Sequence, residues 1–179
     1  SLNIRNHNGE MDIKSGYSGL NETIGVKILG GFYDNPKNGL PVSMGLITLF
    51  DGRTGRPLCV LDGGMLTYYR TSAAGAYAAT LLARPESTTL AVIGTGALAR
   101  MHLIATKYYF DIKKAYIYGI IEEQKKQYIA DMSKKYPDIE FIDCNNAEQA
   151  VSNADIVATA TPANKPVVMD AWVKPGTHI

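Results

Sequence analysis

The chain has 179 residues, and its 18 Lys and Arg against 17 Asp and Glu give a formal net charge of +1 at pH 7. This length buries a substantial core, and the balanced charge argues against binding to nucleic acid or to an anionic membrane surface. No apolar stretch reaches the ~20 residues of a membrane span, and the N-terminal residues lack the order of a signal peptide. We therefore expect a cytoplasmic protein that contacts neither nucleic acid nor membrane.

Short apolar runs at residues 24–32, 44–50 and 57–61 are separated by segments rich in Gly, Pro, Asn and Asp. This alternation predicts three strands of an antiparallel meander. An Ala-rich run over 64–83 follows and predicts a helix, because small residues favour helix and Pro85 stops it.

Beyond Pro85, apolar runs alternate with amphipathic segments. The runs predict strands at 89–93, 115–118, 140–142 and 156–160, and the segments between them predict helices at 97–109, at 122–135 and near 147. Strands that alternate with helices are typical of an α/β fold, here a Rossmann-type doubly wound parallel sheet.

A glycine-rich loop, Gly94-Thr95-Gly96-Ala97-Leu98-Ala99, joins the first of these strands to its helix. In a dinucleotide-binding turn, Gly94 would allow the tight turn, Gly96 would let the pyrophosphate approach the backbone, and Ala99 would permit close packing. The free N–H groups at the helix start would bind the pyrophosphate. The alternatives are a glycine turn that binds no nucleotide and a methyltransferase loop for a different adenosine ligand.

The next strand normally ends in an acidic residue that binds the adenosine ribose, but Gly119 holds that position. Glu122 and Glu123 are candidate substitutes for this acid. Lys125 and Lys126 are candidates for binding a 2′-phosphate, although all four residues also suit a solvated helix surface. We expect NAD as the cofactor, with NADP as the alternative.

The cysteines and histidines indicate no metal site. Cys59 and Cys144 lie far apart and match no metal-ligand or disulfide spacing, which favours a reduced intracellular protein in which both are small buried residues. His102 and His178 are isolated from other ligand-type residues.

Several spaced motifs occur in a recognisable order along the chain. They include L-T-x-x-R-T-x-A-A at 66–74, the glycine loop at 94–99, A-D-I-V at 154–157 and P-G-T-H-I at 175–179. In these motifs the chain resembles the ornithine cyclodeaminase and mu-crystallin family over almost its whole length.

The resemblance implies a two-domain subunit that forms a homodimer. Residues 1–86 would be part of a smaller α+β substrate-binding and dimerisation domain that includes the connecting helix. Residues 87–179 would form the dinucleotide-binding domain, truncated at its C-terminus, with a catalytic aspartate expected just after Ile179.

The resemblance also assigns the site residues. Lys27 and Arg70 match catalytic positions that bind the substrate carboxylate, a role that suits an ammonium group and a guanidinium fork. The positions that match cofactor contacts are Arg70, Thr71, Gly94, Gly96, Ala97, Leu98, Ala99, Gly119, Thr161 and Ile179. On the residues alone, Lys27 equally suits an edge-strand charge and Arg70 a solvated helix face.

The implied activity is oxidation of the Cα–N bond of an amino acid, or reduction of the matching imine, by a nicotinamide. The first expectation is an ornithine cyclodeaminase-like enzyme that converts ornithine to proline and ammonia. A cyclic ketimine (pyrroline-carboxylate) reductase and an alanine dehydrogenase are the alternatives. A non-catalytic, crystallin-like protein that binds NAD or NADP is the alternative of another class.

Overall fold

A computed structural model describes residues 1–163 and 165–179. The chain forms two compact units, Ser1–Thr67 and Tyr68–Ile179. The first unit contains five strands, and helix α1 begins in this unit and continues into the second. Their bounds are β1 (Leu2–Ile4), β2 (Gly9–Ser18), β3 (Thr23–Phe32), β4 (Ser43–Asp51), β5 (Pro57–Asp62) and α1 (Gly64–Leu82). The domain boundary at residues 86 and 87 stays a prediction.

The five strands of the first unit form one antiparallel sheet in the order β1-β2-β3-β4-β5. Strands β3, β4 and β5 agree with the predicted meander, and β1 and β2 are additions that the sequence pattern did not predict. Each residue of β2 from Gly9 to Ser18 is in register with a residue of β3. Because β4 pairs along its other side, β3 is an interior strand of the sheet.

The second unit has the Rossmann-type fold. After α1 it contains β6 (Thr89–Ile93), α2 (Ala97–Tyr109), β7 (Lys114–Tyr118), α3 (Glu122–Lys135), β8 (Glu140–Asp143), α4 (Ala147–Val151) and β9 (Ile156–Thr159). The four strands are parallel, in the order β8-β7-β6-β9. Each predicted strand and helix of this region is present.

The core of the second unit lies on both faces of its sheet. On one face, β6 contributes Leu90 and Val92 to a cluster that includes side chains of α1, α2 and α3. On the other face, Ala91 and Ile93 join a cluster with side chains of α4 and of residues 167–173. A strand buried on both faces explains why β6 is an unbroken apolar run rather than an alternating one.

A carboxylate links the amino ends of β6 and β9. Asp155 accepts hydrogen bonds from the backbone N–H groups of Thr88 and Thr89, both at 3.0 Å, and from the Thr89 hydroxyl at 2.7 Å. The guanidinium of Arg84 lies 2.7 Å from its other oxygen. Burial alone would raise the pKa of Asp155, but these hydrogen bonds and the Arg84 charge outweigh it and hold the pKa below its usual range.

The two cysteines are both free, and they lie in different surroundings. Cys144 is buried, as predicted. Cys59 is exposed, contrary to expectation, because β5 is an edge strand whose six residues are all exposed. Within residues 1–163 and 165–179, no helix has the length and apolar character needed to cross a membrane.

Replacing Asp155 by Asn should lower the free energy of unfolding at pH 7 by about 2 kcal/mol, since the donors around it lose a charged acceptor. Because the pKa of Asp155 is lower in the folded state, its contribution is present above about pH 4 and disappears as the pH falls through the folded value. Urea denaturation of the wild type and Asp155→Asn between pH 3 and pH 7 measures this. The exposed Asp111→Asn is the control and should change the stability far less, because solvent screens its ion pair with Lys113. A pH-independent difference for Asp155→Asn would contradict the assignment.

Candidate functional site

The glycine loop lies at the carboxyl end of β6, and its first residue is enclosed by backbone. The N–H of Gly94 donates to the Tyr118 carbonyl at 2.8 Å. Gly94 has φ +107°, and a Cβ there would overlap the Ala160 carbonyl oxygen and lie 3.2 Å from Thr161 Cγ2. Only glycine fits this position, where the ends of β6, β7 and β9 come together.

Apart from its chain neighbours, no described residue encloses the second glycine of the loop. Gly96 is the N-cap residue of α2 and has an extended backbone. Beyond Thr95 and Ala97, no atom of the described residues lies within 4 Å of the position of a Cβ. No side chain in the described part of the chain caps this helix end. The first turn of α2 therefore presents backbone N–H groups beside open space, and this arrangement fits a pyrophosphate.

The other residues of the loop divide into exposed and buried positions. Ala97 is exposed and Leu98 is half-buried, whereas Ala99 is fully buried. The Tyr128 hydroxyl on α3 donates to the Ala99 carbonyl at 3.4 Å. Ala99 thus has the packing role that the sequence assigned to it.

Thr95, between the two glycines, lies against the end of β7. A Cβ at Gly119 would be 2.9 Å from both Cγ2 and Oγ1 of Thr95, and 3.5 Å from its Cβ. The missing acid at Gly119 is visible in the sequence, whereas the part played by Thr95 is not. Thr95 follows the first glycine in the loop, and sequence spacing carries no sign that it contacts the end of a strand more than 20 residues later.

Among the charged residues at the start of α3, Glu122, Glu123 and Lys126 are exposed, as a solvated helix surface requires, and Lys125 is the exception. Lys125 is buried, and its ammonium donates to Asp143 at 2.5 Å, Glu122 at 3.1 Å and the Cys144 carbonyl at 3.2 Å. The hydrogen bond with Asp143 raises the pKa of Lys125 despite burial. The hypothesis that Lys125 is solvated is therefore wrong, and its burial and ion pairs argue against contact with a 2′-phosphate. Its partner Glu122 also lies 3.8 Å from Lys126.

In the first unit, Lys27 has an ordered environment. It lies on β3 between β2 and β4, so the alternative of an edge-strand charge is wrong. Its ammonium donates to the Thr67 hydroxyl at 3.2 Å, and that hydroxyl donates to the Gly63 carbonyl at 2.7 Å. Sequence reasoning did not assign a role to Thr67, although the threonine of the L-T-x-x-R-T motif was visible.

Three predicted site residues are not joined to the glycine loop by any contact described above. Arg70 is exposed on α1, and its guanidinium has no hydrogen bond or ion pair to another described residue. Thr71 is half-buried beside it. Ile179 is exposed and follows His178, whose carbonyl accepts from the Val157 N–H of β9 at 2.8 Å. The roles of Arg70, Thr71 and Ile179 stay predictions. Gly94 lies against Thr161 and the end of β7, and Gly119 lies against Thr95, so these residues meet at the carboxyl ends of the strands.

The histidines have structural surroundings. His102 is half-buried on α2, and burial lowers its pKa. A Cβ at Gly75 on α1 would lie 3.0 Å from its ring, so the imidazole packs closely on that helix. Among residues 1–163 and 165–179, no three His, Cys, Asp or Glu side chains gather where they would hold a metal ion.

The parallel sheet, the glycine turn and the open helix end define a Rossmann-type dinucleotide-binding unit. The model of the ornithine cyclodeaminase/mu-crystallin family matches residues 1–179, and the chain belongs to this family. It spans about half the length of the curated relatives it matches.

Three similar proteins indicate the range of the family. Δ1-pyrroline-2-carboxylate reductase of Thermococcus litoralis, solved with NADH and L-proline, has a TM-score of 0.93 and 36% identity, over 99% of this chain and 55% of that one. An archaeal alanine dehydrogenase dimer with bound NAD has a TM-score of 0.81 and 33% identity, over 96% and 56%. An uncharacterized cyclodeaminase of Sinorhizobium fredii (strain NBRC 101917 / NGR234) is 34% identical over 179 residues, 99% of this chain and 54% of its own. The predicted NAD cofactor is confirmed at the level of the family, because two solved members contain NADH or NAD.

The two glycines of the loop should respond differently to substitution. Gly96→Val should leave the fold intact and weaken dinucleotide binding at least about tenfold, because its side chain enters the open space beside the helix end. Gly94→Ala should instead destabilise the protein by about 3 kcal/mol or more, since it combines a positive φ with backbone overlap. Thermal melts and calorimetric titration with NADH and NADPH separate the two effects. If a folded Gly96→Val protein bound both dinucleotides with unchanged affinity, the assignment of the cofactor to this loop would be wrong.

Proposed function

We propose that the protein is a nicotinamide-dependent reductase of a cyclic imino acid, with Δ1-pyrroline-2-carboxylate as substrate and L-proline as product. The observation that carries the proposal is the open, uncapped helix end at Gly96 in a chain that matches the T. litoralis reductase over almost its whole length. This likeness moves the reductase ahead of the cyclodeaminase that the sequence placed first.

The loop residues supply binding and orientation. The N–H groups at the start of α2 would hold the pyrophosphate, Gly96 leaves room for it, and Gly94 keeps the loop against the ends of β7 and β9. The dinucleotide, when bound in its reduced form, supplies the hydride that reduces the imine carbon. The imine nitrogen gains a proton in the same overall reaction.

Lys27 and Arg70 are the proposed carboxylate-binding residues. The Thr67 hydroxyl accepts a hydrogen bond from Lys27, and Thr67 is itself fixed by its bond to Gly63, so the ammonium has a defined position. An ammonium can donate further hydrogen bonds, and carboxylate is a suitable acceptor. Arg70 presents an exposed guanidinium whose planar fork suits the same type of group.

A cyclodeaminase is the second candidate, favoured by the 34% identity with the S. fredii protein over this whole chain. In that reaction ornithine loses hydride at Cα, the side-chain amine adds to the imine with loss of ammonia, and the returned hydride gives proline. The cofactor is regenerated within each turnover. Net consumption of reduced dinucleotide therefore distinguishes the reductase from the cyclodeaminase.

The whole protein, assayed with a substrate panel, tests the proposed function. We expect Δ1-pyrroline-2-carboxylate to give proline with one reduced dinucleotide consumed per product. Proline and ammonia from ornithine without net consumption would support the cyclodeaminase, and alanine from pyruvate and ammonia would support an alanine dehydrogenase. Dinucleotide binding without turnover of any of the three would overturn the enzyme proposals and favour the crystallin-like alternative.

In the same assay, Lys27→Met and Arg70→Lys should each lower kcat/KM by about 10- to 100-fold, the effect of losing one charge-assisted hydrogen bond to the substrate. Arg70→Lys should be harmful although it keeps the charge, because it loses the planar fork. Lys114→Met is the control, since Lys114 is an exposed strand lysine paired with Glu140. If Lys27→Met and Arg70→Lys kept the kcat/KM of the wild type, neither residue would bind the substrate carboxylate, and both would have structural or surface roles.

We also infer that the protein forms a homodimer through one face of the antiparallel sheet. Ile13, Ile28 and Leu46 are adjacent in register on this face, and Ile13 and Leu46 are 60% and 54% exposed. Val60 of β5 lies on the same face and is 65% exposed. A contiguous exposed apolar surface on a sheet suits a self-complementary contact, and the similar archaeal alanine dehydrogenase is a dimer.

Sedimentation equilibrium tests the inferred dimer. The wild type should sediment as a dimer at micromolar concentration, and Leu46→Glu should sediment as a folded monomer, because it places a charge in the apolar surface. Tyr108→Glu, at an exposed position near the end of α2, should remain dimeric. A dimer that persists unchanged in Leu46→Glu would show that this face is not the contact.

A further inference from the structure

The adenosine end of the proposed cofactor site departs from the usual Rossmann arrangement, and the contact between Thr95 and Gly119 explains how. In that arrangement, an acidic side chain at the end of the second strand accepts hydrogen bonds from the ribose hydroxyls and repels a 2′-phosphate. The equivalent residue here is Gly119, at the end of β7. The space into which a side chain would extend from Gly119 is filled by Thr95.

The contact between these residues is close. A Cβ at Gly119 would lie 2.9 Å from Cγ2 and 2.9 Å from Oγ1 of Thr95, distances that real Cβ atoms essentially never show. The third contact, 3.5 Å to Thr95 Cβ, is ordinary packing. Two atoms of one side chain therefore crowd a Cβ at position 119, so an acidic residue there requires Thr95 to move. Both contacts would be absent if residue 95 were alanine.

Three of the neighbouring charged groups, Glu122, Lys125 and Lys126, are engaged with one another or with Asp143. The Glu122 carboxylate lies 3.1 Å from the buried Lys125 ammonium and 3.8 Å from Lys126. Lys125 is also bound to Asp143. These ion pairs reduce the charge that Glu122 can offer to a ribose and that Lys125 can offer to a 2′-phosphate. Glu123 is exposed on the same turn of α3 and is not among them.

We propose that Thr95 and Gly119 together determine the cofactor specificity of this protein. The Thr95 side chain takes the space of the ribose-binding acid, so the adenosine ribose meets a neutral hydroxyl rather than a carboxylate. A hydroxyl both donates and accepts hydrogen bonds and does not repel a 2′-phosphate. The protein therefore binds NAD and NADP with affinities within about tenfold of each other. This inference rests on the proposed function, because it requires a dinucleotide at the glycine loop.

The test is calorimetric titration of NADH and NADPH into the whole protein and three variants. Gly119→Asp alone should weaken binding of both dinucleotides, because its Cβ forces Thr95 and the glycine loop to move. Thr95→Ala alone should weaken both by about three- to tenfold, the effect of losing one neutral hydrogen bond, with the ratio unchanged. The double variant Thr95→Ala/Gly119→Asp removes the two close contacts and should prefer NADH over NADPH by at least about tenfold more than the wild type.

The double variant keeps the proposal testable if Gly119→Asp fails to fold, because it lacks the two Thr95 atoms that crowd a side chain at position 119. An unchanged ratio in a folded double variant would overturn the inference, because position 119 would not face the ribose. A Gly119→Asp protein with full affinity and the same shift as the double variant would also overturn it, because Thr95 would not exclude the acid. Wild-type protein that binds neither dinucleotide would refute the proposed function itself, an outcome distinct from both.

Discussion

The arrangement of the second unit depends on one close approach of backbone at the carboxyl edge of its sheet. Gly94 leaves β6 with a positive φ, donates to the carbonyl at the end of β7, and lies against the carbonyl that follows β9. Three neighbouring strands thus converge on a residue that can have no side chain. This constraint sets the direction in which the chain enters α2, and so it places the open helix end beside the ends of the strands.

The opposite edge of the sheet is fixed by charge rather than by close packing. Asp155 binds the start of β6 through two backbone N–H groups and a hydroxyl, while Arg84 binds it from the end of α1. Between the two edges, β6 is buried on both faces. The glycine loop therefore follows a strand that is held at its start, along its length and at its end, and a rigid scaffold of this kind suits a binding loop.

The second unit could be predicted closely from the sequence because its signals are local. A continuous apolar run, a glycine turn and an amphipathic helix follow one another within about 20 residues, so neighbouring residues alone determine β6, the loop and α2. The strand β2 was missed although Met11, Ile13 and Tyr17 alternate with polar residues. Three glycines and several polar side chains in and beside this segment weakened the pattern, and its pairing with β3 supplies what local propensity lacks.

The site was predictable where its residues are adjacent in sequence and not where distant segments meet. The charged sequence of α3 predicts that Lys125 is a surface lysine. Its burial depends on contacts with Asp143 and Cys144 at the end of β8, which local sequence does not reveal. The contact of Thr95 with Gly119 likewise depends on the pairing of β6 with β7. Lys27 was identified through resemblance alone, and the structure adds the helix residue that positions it.

The link at Asp155 also has a consequence for how the molecule acquires its structure. Thr88 and Asp155 are 67 residues apart along the chain, so β6 has to remain incomplete until β9 has been made. Pairings of such long sequence separation are slow to form, because the loss of chain entropy precedes the gain in contacts. In chain order, β6 is the first strand of this sheet to be synthesised, and its hydrogen bonding is complete only when the last strand, β9, docks. Nascent chains that stall before residue 155 would expose an apolar strand with one open edge, the kind of segment that chaperones bind and that aggregates when they do not.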